Sequence, residues 1–188
     1  GATGTAYHYG DYYNTGGSNW AFMLGPASSG DAVQVEIVSE TSDASAGIPS
    51  GTYVASSTNY SAQPGEFLPG YLSSNTIYGT NYIHYSGQSI DSYTPAVGGT
   101  IEIVNNGDGT YEMTFACEAD HGNVWSGTWT GTLNISDQST TYSTKSATAS
   151  RHGYYTVKSL TAEEKVDIIK SSSFKAGKAQ KAKVTVVR

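Results

Sequence analysis

The sequence predicts an all-β domain, an antiparallel β-sandwich or flattened barrel of about ten strands with one short C-terminal helix. Three observations carry that expectation. Apolar and polar residues alternate with a period of two over three successive runs between residues 99 and 136. The chain holds 22 Gly and 15 Tyr but only 14% charged residues. Tyr, Thr and Val suit a pleated, half-buried surface, while Gly, Asn and Asp suit turns. At 188 residues the chain fits one domain, which buries roughly 70% of its unfolded surface.

From the N terminus, the first informative stretch is AYHYGDYYNTGGSNW, residues 6–20. Tyr7, Tyr9, Tyr12, Tyr13 and Trp20 surround Asp11 and Asn14 over a glycine-rich loop. Flat amphipathic rings beside short hydrogen-bonding side chains are what sugar recognition or a protein interface would use. The alternative is a strand whose tyrosines cover a sheet edge with their hydroxyls in water. NWAFML then puts Trp20, Phe22 and Leu24 on one face. AVQVEIV puts Val33, Val35 and Ile37 on one face, against Gln34 and Glu36. SGTYVAS, after Pro49, reads as a short strand, and SAQPGEFLPGYLSS as a loop with two Pro-Gly turns. NTIYGTNYIHYS reads as one longer strand, with Gly79 as a bulge or a close backbone approach.

The clearest segment runs from residue 99 to 136. Ile101 and Ile103 alternate with Glu102; Tyr111, Met113, Phe115 and Cys117 alternate with Glu112, Thr114 and Ala116. Trp125, Gly127, Trp129, Gly131, Leu133 and Ile135 then face away from Ser126, Thr128, Thr130 and Thr132. Three such runs make an antiparallel meander with Cys117 and both tryptophans on its apolar face. Its first connection, NNGDGT at 105–110, has the oxygen-rich look of a calcium loop. A helical-hand calcium site needs flanking helices and a closing bidentate Glu, and neither is present. Asn106-Gly107 and Asp108-Gly109 instead supply the positive φ a hairpin needs. The second connection, EADHGN, reads as a solvated turn.

After Ser136 the character changes, so residues 1–136 are expected to form the β domain and 137–188 a linker, short helix and final strand packed on it. LTAEEKVDIIK has Thr161 as N-cap, Glu164 closing a capping box, and Val166 and Ile169 on one face. AKVTVV reads as the last strand. The charge changes at the same place. Residues 1–144 carry 13 acids and no Lys or Arg, net −13; residues 145–188 carry three acids and ten bases, net +7. A body without cations offers no arginine fork or lysine clamp, so no nucleic-acid partner is expected. The basic tail is expected to fold back on the acidic body, the alternative being an anionic partner.

Motifs of chemistry are sparse. His8, His84, His121 and His152 have no ligand spacing, and Glu118, Asp120 and His121 share one turn without evident support, so no metal site is assigned. There is no G-x-S-x-G, and the lone Cys117 lacks the electropositive setting of a reactive thiolate. No catalytic residue and no cofactor is assigned. No 18-residue apolar run exists to cross a membrane as a helix. The opening GATGTAYHYG lacks a basic-then-apolar leader, so the chain is read as mature or trimmed.

TAYHYGDYY, PSGTYV and GGTIEIVNNGDGTYEMTFACEADHGNVWSGTWTGTLNI together resemble a domain of cell-surface lipoproteins of Bacteroides-type bacteria, over roughly residues 4–135. That resemblance implies a β-sandwich or calycin-like barrel displayed on the outer membrane, held there only by a lipid anchor upstream. It implies adhesion or nutrient capture and brings no catalytic motif. The expected function is a non-catalytic surface domain that binds a glycan or a surface protein. The alternatives are an assembly subunit that pairs through edge strands and a hydrolase with an unrecognised carboxylate pair.

Overall fold

Nearly every alternating stretch becomes a strand. The computed structural model describes residues 1–25, 30–140, 155–156, 165–167 and 183–185. In chain order the strands are β1 (Ala2–His8), β2 (Ser18–Leu24), β3 (Gly30–Ser39), β4 (Gly51–Ala55), β5 (Glu66–Phe67), β6 (Tyr71–Ser73), β7 (Thr76–Tyr78), β8 (Asn81–Ser86), β9 (Ser89–Pro95), β10 (Gly98–Asn105), β11 (Thr110–Glu118) and β12 (Val124–Asp137). Three short ones follow: β13 (Tyr155–Thr156), β14 (Lys165–Asp167) and β15 (Lys183–Thr185). One 3-10 turn, Asp120–Gly122, joins β11 to β12.

Eight strands close into a barrel in the order β2-β1-β12-β11-β10-β4-β5-β3, with β3 pairing back onto β2. Two of the joins, β1 with β12 and β4 with β5, are parallel, where a wholly antiparallel sheet was expected. With the β10–β4 register carried one residue past Thr100–Val54 to Gly99 and Ala55, following paired residues round the barrel leaves β12 at Trp125 and returns to it at Asp137, 12 residues farther on. A stagger larger than the strand number tilts the strands steeply and widens the barrel. The sequence fills that width. Trp20, Phe22, Tyr53, Phe67, Phe115, Trp125 and Trp129 are all buried in one core.

Small residues make room for these rings. Along β12, Trp125, Gly127, Trp129 and Gly131 alternate with outward Ser and Thr, and a Cβ on Gly131 would come within 2.7 Å of the Trp129 ring and 2.2 Å of the Ala2 carbonyl. Alternating large and small inward residues let indoles lie along the strand and let β1 approach. Cys117 faces this core, and burial pushes its thiol well above its usual range.

β2 and β3 are buried on both faces, because a second layer covers their outer side. β8 and β9 continue the sheet from β3, and β6–β7 with β13 form a small separate sheet. Met23 and Ala32 pack there against Ile77, Ile83, Tyr85, Ile90 and Tyr93. Gln34 and Glu36, buried in this layer, are held by hydrogen bonds: Gln34 Nε2 donates to Gly79 O (2.8 Å), and Glu36 Oε1 accepts from Tyr13 OH (2.5 Å). β14 and β15 pair as a hairpin.

Three expectations need correction. The stretch 75–86 is two strands in different sheets, because Gly79 turns the chain at φ +69; its close approach is to the Pro69 carbonyl, 2.2 Å from where a Cβ would stand. The loop expected at 61–74 contains β5, whose two residues complete the barrel, and β6. The helix expected from Thr161 does not appear in its described part, since Lys165–Asp167 is strand β14; pairing with β15 outweighs the local capping signal. The final strand is present as β15.

Candidate functional site

The seven residues singled out at the N terminus do not share one surface. Trp20 points into the barrel and is fully buried, with its Nε1 donating to Ser39 Oγ at 3.0 Å. Tyr9, Tyr12 and Tyr13 lie on the other side of the sheet, packed with Ala21, Val38, Ala62 and Leu68. Tyr7 is half-buried beside them, while Asp11 and Asn14 are exposed. The stretch is a cover for β2 and β3. Asp11 shapes it: its carboxylate accepts from Thr15 N (2.8 Å) and Gly16 N (3.1 Å), and Asn14 follows in a left-handed conformation at φ +57.

The end of the barrel where this cover begins also holds a cleft of about 120 Å³. Its floor is Leu133 and Ile135 from the last inward positions of β12. One wall is Ser45, Ala46 and Gly47 from the loop before β4; the other is the β10–β11 turn with Asn105, Gly107 and Gly109, and Tyr111 lies between them. The NNGDG segment is thus a turn that also forms a wall. Asp108 accepts from Thr110 N (2.9 Å) and Thr110 Oγ1 (2.6 Å), which holds its carboxyl below the usual range. Gly107 and Gly109 take φ of +79 and +87.

Asn105 joins the two walls. Its Nδ2 donates to Ile48 O (3.0 Å) and Ala46 O (3.2 Å), and its Oδ1 accepts from Gly107 N (2.9 Å). Tyr111 OH accepts from Ile48 N at 3.2 Å, and burial raises its phenol above the ordinary value. Gly47 takes φ +76, and a Cβ there would lie 2.1 Å from the Tyr111 oxygen, so only glycine fits. The cleft therefore has fixed walls, an apolar floor and a rim of amide, hydroxyl and backbone groups. Among the described residues, no carboxylate, histidine or cysteine lines it.

Sequence reasoning found the turn but not the cleft. Only the tertiary fold brings Gly47 and Ile48 beside Asn105 and Tyr111, and no local signal marks them. It also missed two His–Asp pairs. His8 Nδ1 lies 3.1 Å from Asp137 Oδ1 across the parallel β1–β12 join, with its ring 4.5 Å from the Trp20 ring centroid. His84 Nδ1 lies 2.6 Å from Asp31 Oδ1 across β8 and β3. The EADHGN turn is not wholly solvated either, because both carboxylate oxygens of Asp120 are shut away from solvent. No group of three or more potential metal ligands occurs among the described residues. Comparison of the chain with known protein families, with curated proteins and with solved structures finds no match.

Proposed function

We propose that this is a non-catalytic binding domain of the cell exterior, which takes a glycan or a surface-protein segment at the mouth of its barrel. The observation that supports this reading is the cleft, where an apolar floor lies under a ring of hydrogen-bonding groups on rigid walls. Sugars and amphipathic side chains present that same combination of an apolar face and a polar edge. At about 120 Å³ the cleft takes the tip of a ligand, and the rest would lie over the exposed Asp11 and Asn14 at the same end of the barrel. The described lining groups are amide, hydroxyl, backbone and apolar, which suits binding rather than acid–base chemistry there. A calycin-like ancestry, an outer-membrane location and a lipid anchor upstream complete the proposal.

The test is a glycan and peptide panel read by thermal shift, since a ligand of the native state raises the melting point by mass action. Ser45→Trp, at an exposed position on the cleft wall, should remove any shift while leaving the unliganded melting point in place. A hit that survives Ser45→Trp would move the site elsewhere. A second reading rests on β9, the last strand in the sheet order, whose outer edge has no ladder partner among the described residues. Assembly through that edge would show as a mass that rises with concentration.

A further inference from the structure

The β10–β11 turn gathers two dipeptides that can react with themselves. Of nine asparagines only Asn106 precedes a glycine, and of eight aspartates only Asp108 does. A glycine without a Cβ leaves its backbone nitrogen free to attack the preceding side-chain carbonyl. Nothing stands within 4 Å of where a Cβ on Gly107 or Gly109 would be, and residues 106–109 are all exposed. Water therefore reaches both pairs.

The fold treats the two pairs differently. Asp108 accepts from Thr110 Oγ1 (2.6 Å) and Thr110 N (2.9 Å), and these bonds hold its carboxyl below the usual range. An ionised carboxylate gives Gly109 N no leaving group to displace. Asn106 keeps a neutral amide, whose carbon can be attacked and whose nitrogen can depart. Two hydrogen bonds restrain it. Gly107 N donates to Asn105 Oδ1 at 2.9 Å, and Asn106 Nδ2 donates to Thr110 Oγ1 at 3.0 Å. Reaction requires Gly107 N to come within roughly 3–3.5 Å of Asn106 Cγ. The Asn105 bond occupies the hydrogen that this nitrogen must lose, and the Thr110 bond holds the amide that must turn.

We propose that Asn106 is a site of spontaneous deamidation, with Asn105 and Thr110 setting its rate. Gly107 N gives up its proton and bonds to Asn106 Cγ; the Cγ–Nδ2 bond breaks, and ammonia leaves with that proton. One water then opens the cyclic imide at either carbonyl, leaving an aspartyl or isoaspartyl residue at position 106. The product reverses a contact. Thr110 Oγ1 donates to Asp108 and accepts from the Asn106 amide, but a carboxylate at 106 has no hydrogen to give. Two carboxylates then compete for one hydroxyl, and the isoaspartyl form also lengthens the backbone by one carbon. The wall that Asn105 ties to Ala46 and Ile48 loosens with the turn. This inference does not depend on what the cleft binds, and either can fail alone.

Mass spectrometry tests it. The full chain, held in warm, mildly alkaline buffer and then cut after Glu102 and Glu112, yields residues 103–112. The mass gain of an amide-to-acid exchange should appear at Asn106, with Asn105 and Asp108 unchanged, and heavy oxygen from labelled water should enter the product. Conversion should run roughly tenfold slower than in the free 103–112 peptide, because two hydrogen bonds must open first. Asn105→Ala and Thr110→Val should each speed it about threefold, with tryptophan fluorescence confirming a folded barrel. Thr110→Ser, which keeps the hydroxyl, should hold the wild-type rate. No mass gain in the full chain would overturn the proposal, as would earlier conversion at another asparagine or at Asp108. Equal rates in every variant, or a rate that follows the unfolded fraction in mild urea, would overturn the control by Asn105 and Thr110.

Discussion

Gly47 shows how much one residue without a side chain can decide. It combines a left-handed backbone with a position where a Cβ would stand only 2.1 Å from the Tyr111 oxygen. Gly47→Ala should therefore cost roughly 2–4 kcal/mol, from backbone strain and the displaced Tyr111 hydroxyl together. Urea unfolding would read this as a lower midpoint at unchanged slope. Asp137 acts by charge. Its carboxyl is held down to about 2 by the Ser139 backbone N–H first, then the Ser139 side chain and His8. A carboxyl with a depressed folded-state pKa adds stability above its unfolded value, and that stability is lost as pH falls through the folded value. Wild type should thus lose part of its stability between about pH 4 and pH 2, and Asp137→Asn should flatten that limb. The carboxylate is exposed, so the effect is small. Equal slopes for the two proteins in acid unfolding would remove Asp137 from the account.

The narrowest element is β5. Only Glu66 and Phe67 join β4 to β3, yet without them the barrel would stay open. Phe67 is fully buried in the core, so the element holds by its side chain as much as by its backbone pairs. Phe67→Ala should cost about 3–5 kcal/mol. Amide exchange should rise first at Val54 and Val38, whose strands β5 connects. Uniform loosening round the whole barrel would contradict that. This element was not legible in the sequence. A two-residue strand has no period, and QPGEFLPG reads as turns on either side of it. The three runs of the meander were legible, because β11 and β12 alternate buried and exposed residues along most of their length and β10 does so over Ile101–Val104.

For the molecule as a whole, charge is the unusual quantity. A body with net −13 and no cation gains nothing from internal lysine or arginine pairs and suffers its own repulsion. Supplying one cation should help. Thr130 is exposed and directly opposite Glu112 on the neighbouring strand, so Thr130→Lys should stabilise by roughly 0.2–1 kcal/mol. The gain should shrink as salt screens the pair. A gain that persists in high salt would mean that side-chain packing, not charge, was responsible.

Sequence alone determined the β class, the meander of β10, β11 and β12, the burial of Cys117 and of both β12 tryptophans, and the separation of acidic body from basic tail. These are local or compositional properties, written in periods of two and in counts. The closure of the barrel, its parallel joins, the covering role of the Tyr9–Tyr13 stretch and the cleft beside Asn105 were decided only by the tertiary structure. Each depends on partners far apart in the chain, such as His8 with Asp137 or Gly47 with Tyr111. Alternation marks which side chains turn inward, but the stagger of the closed sheet selects the strand each one meets.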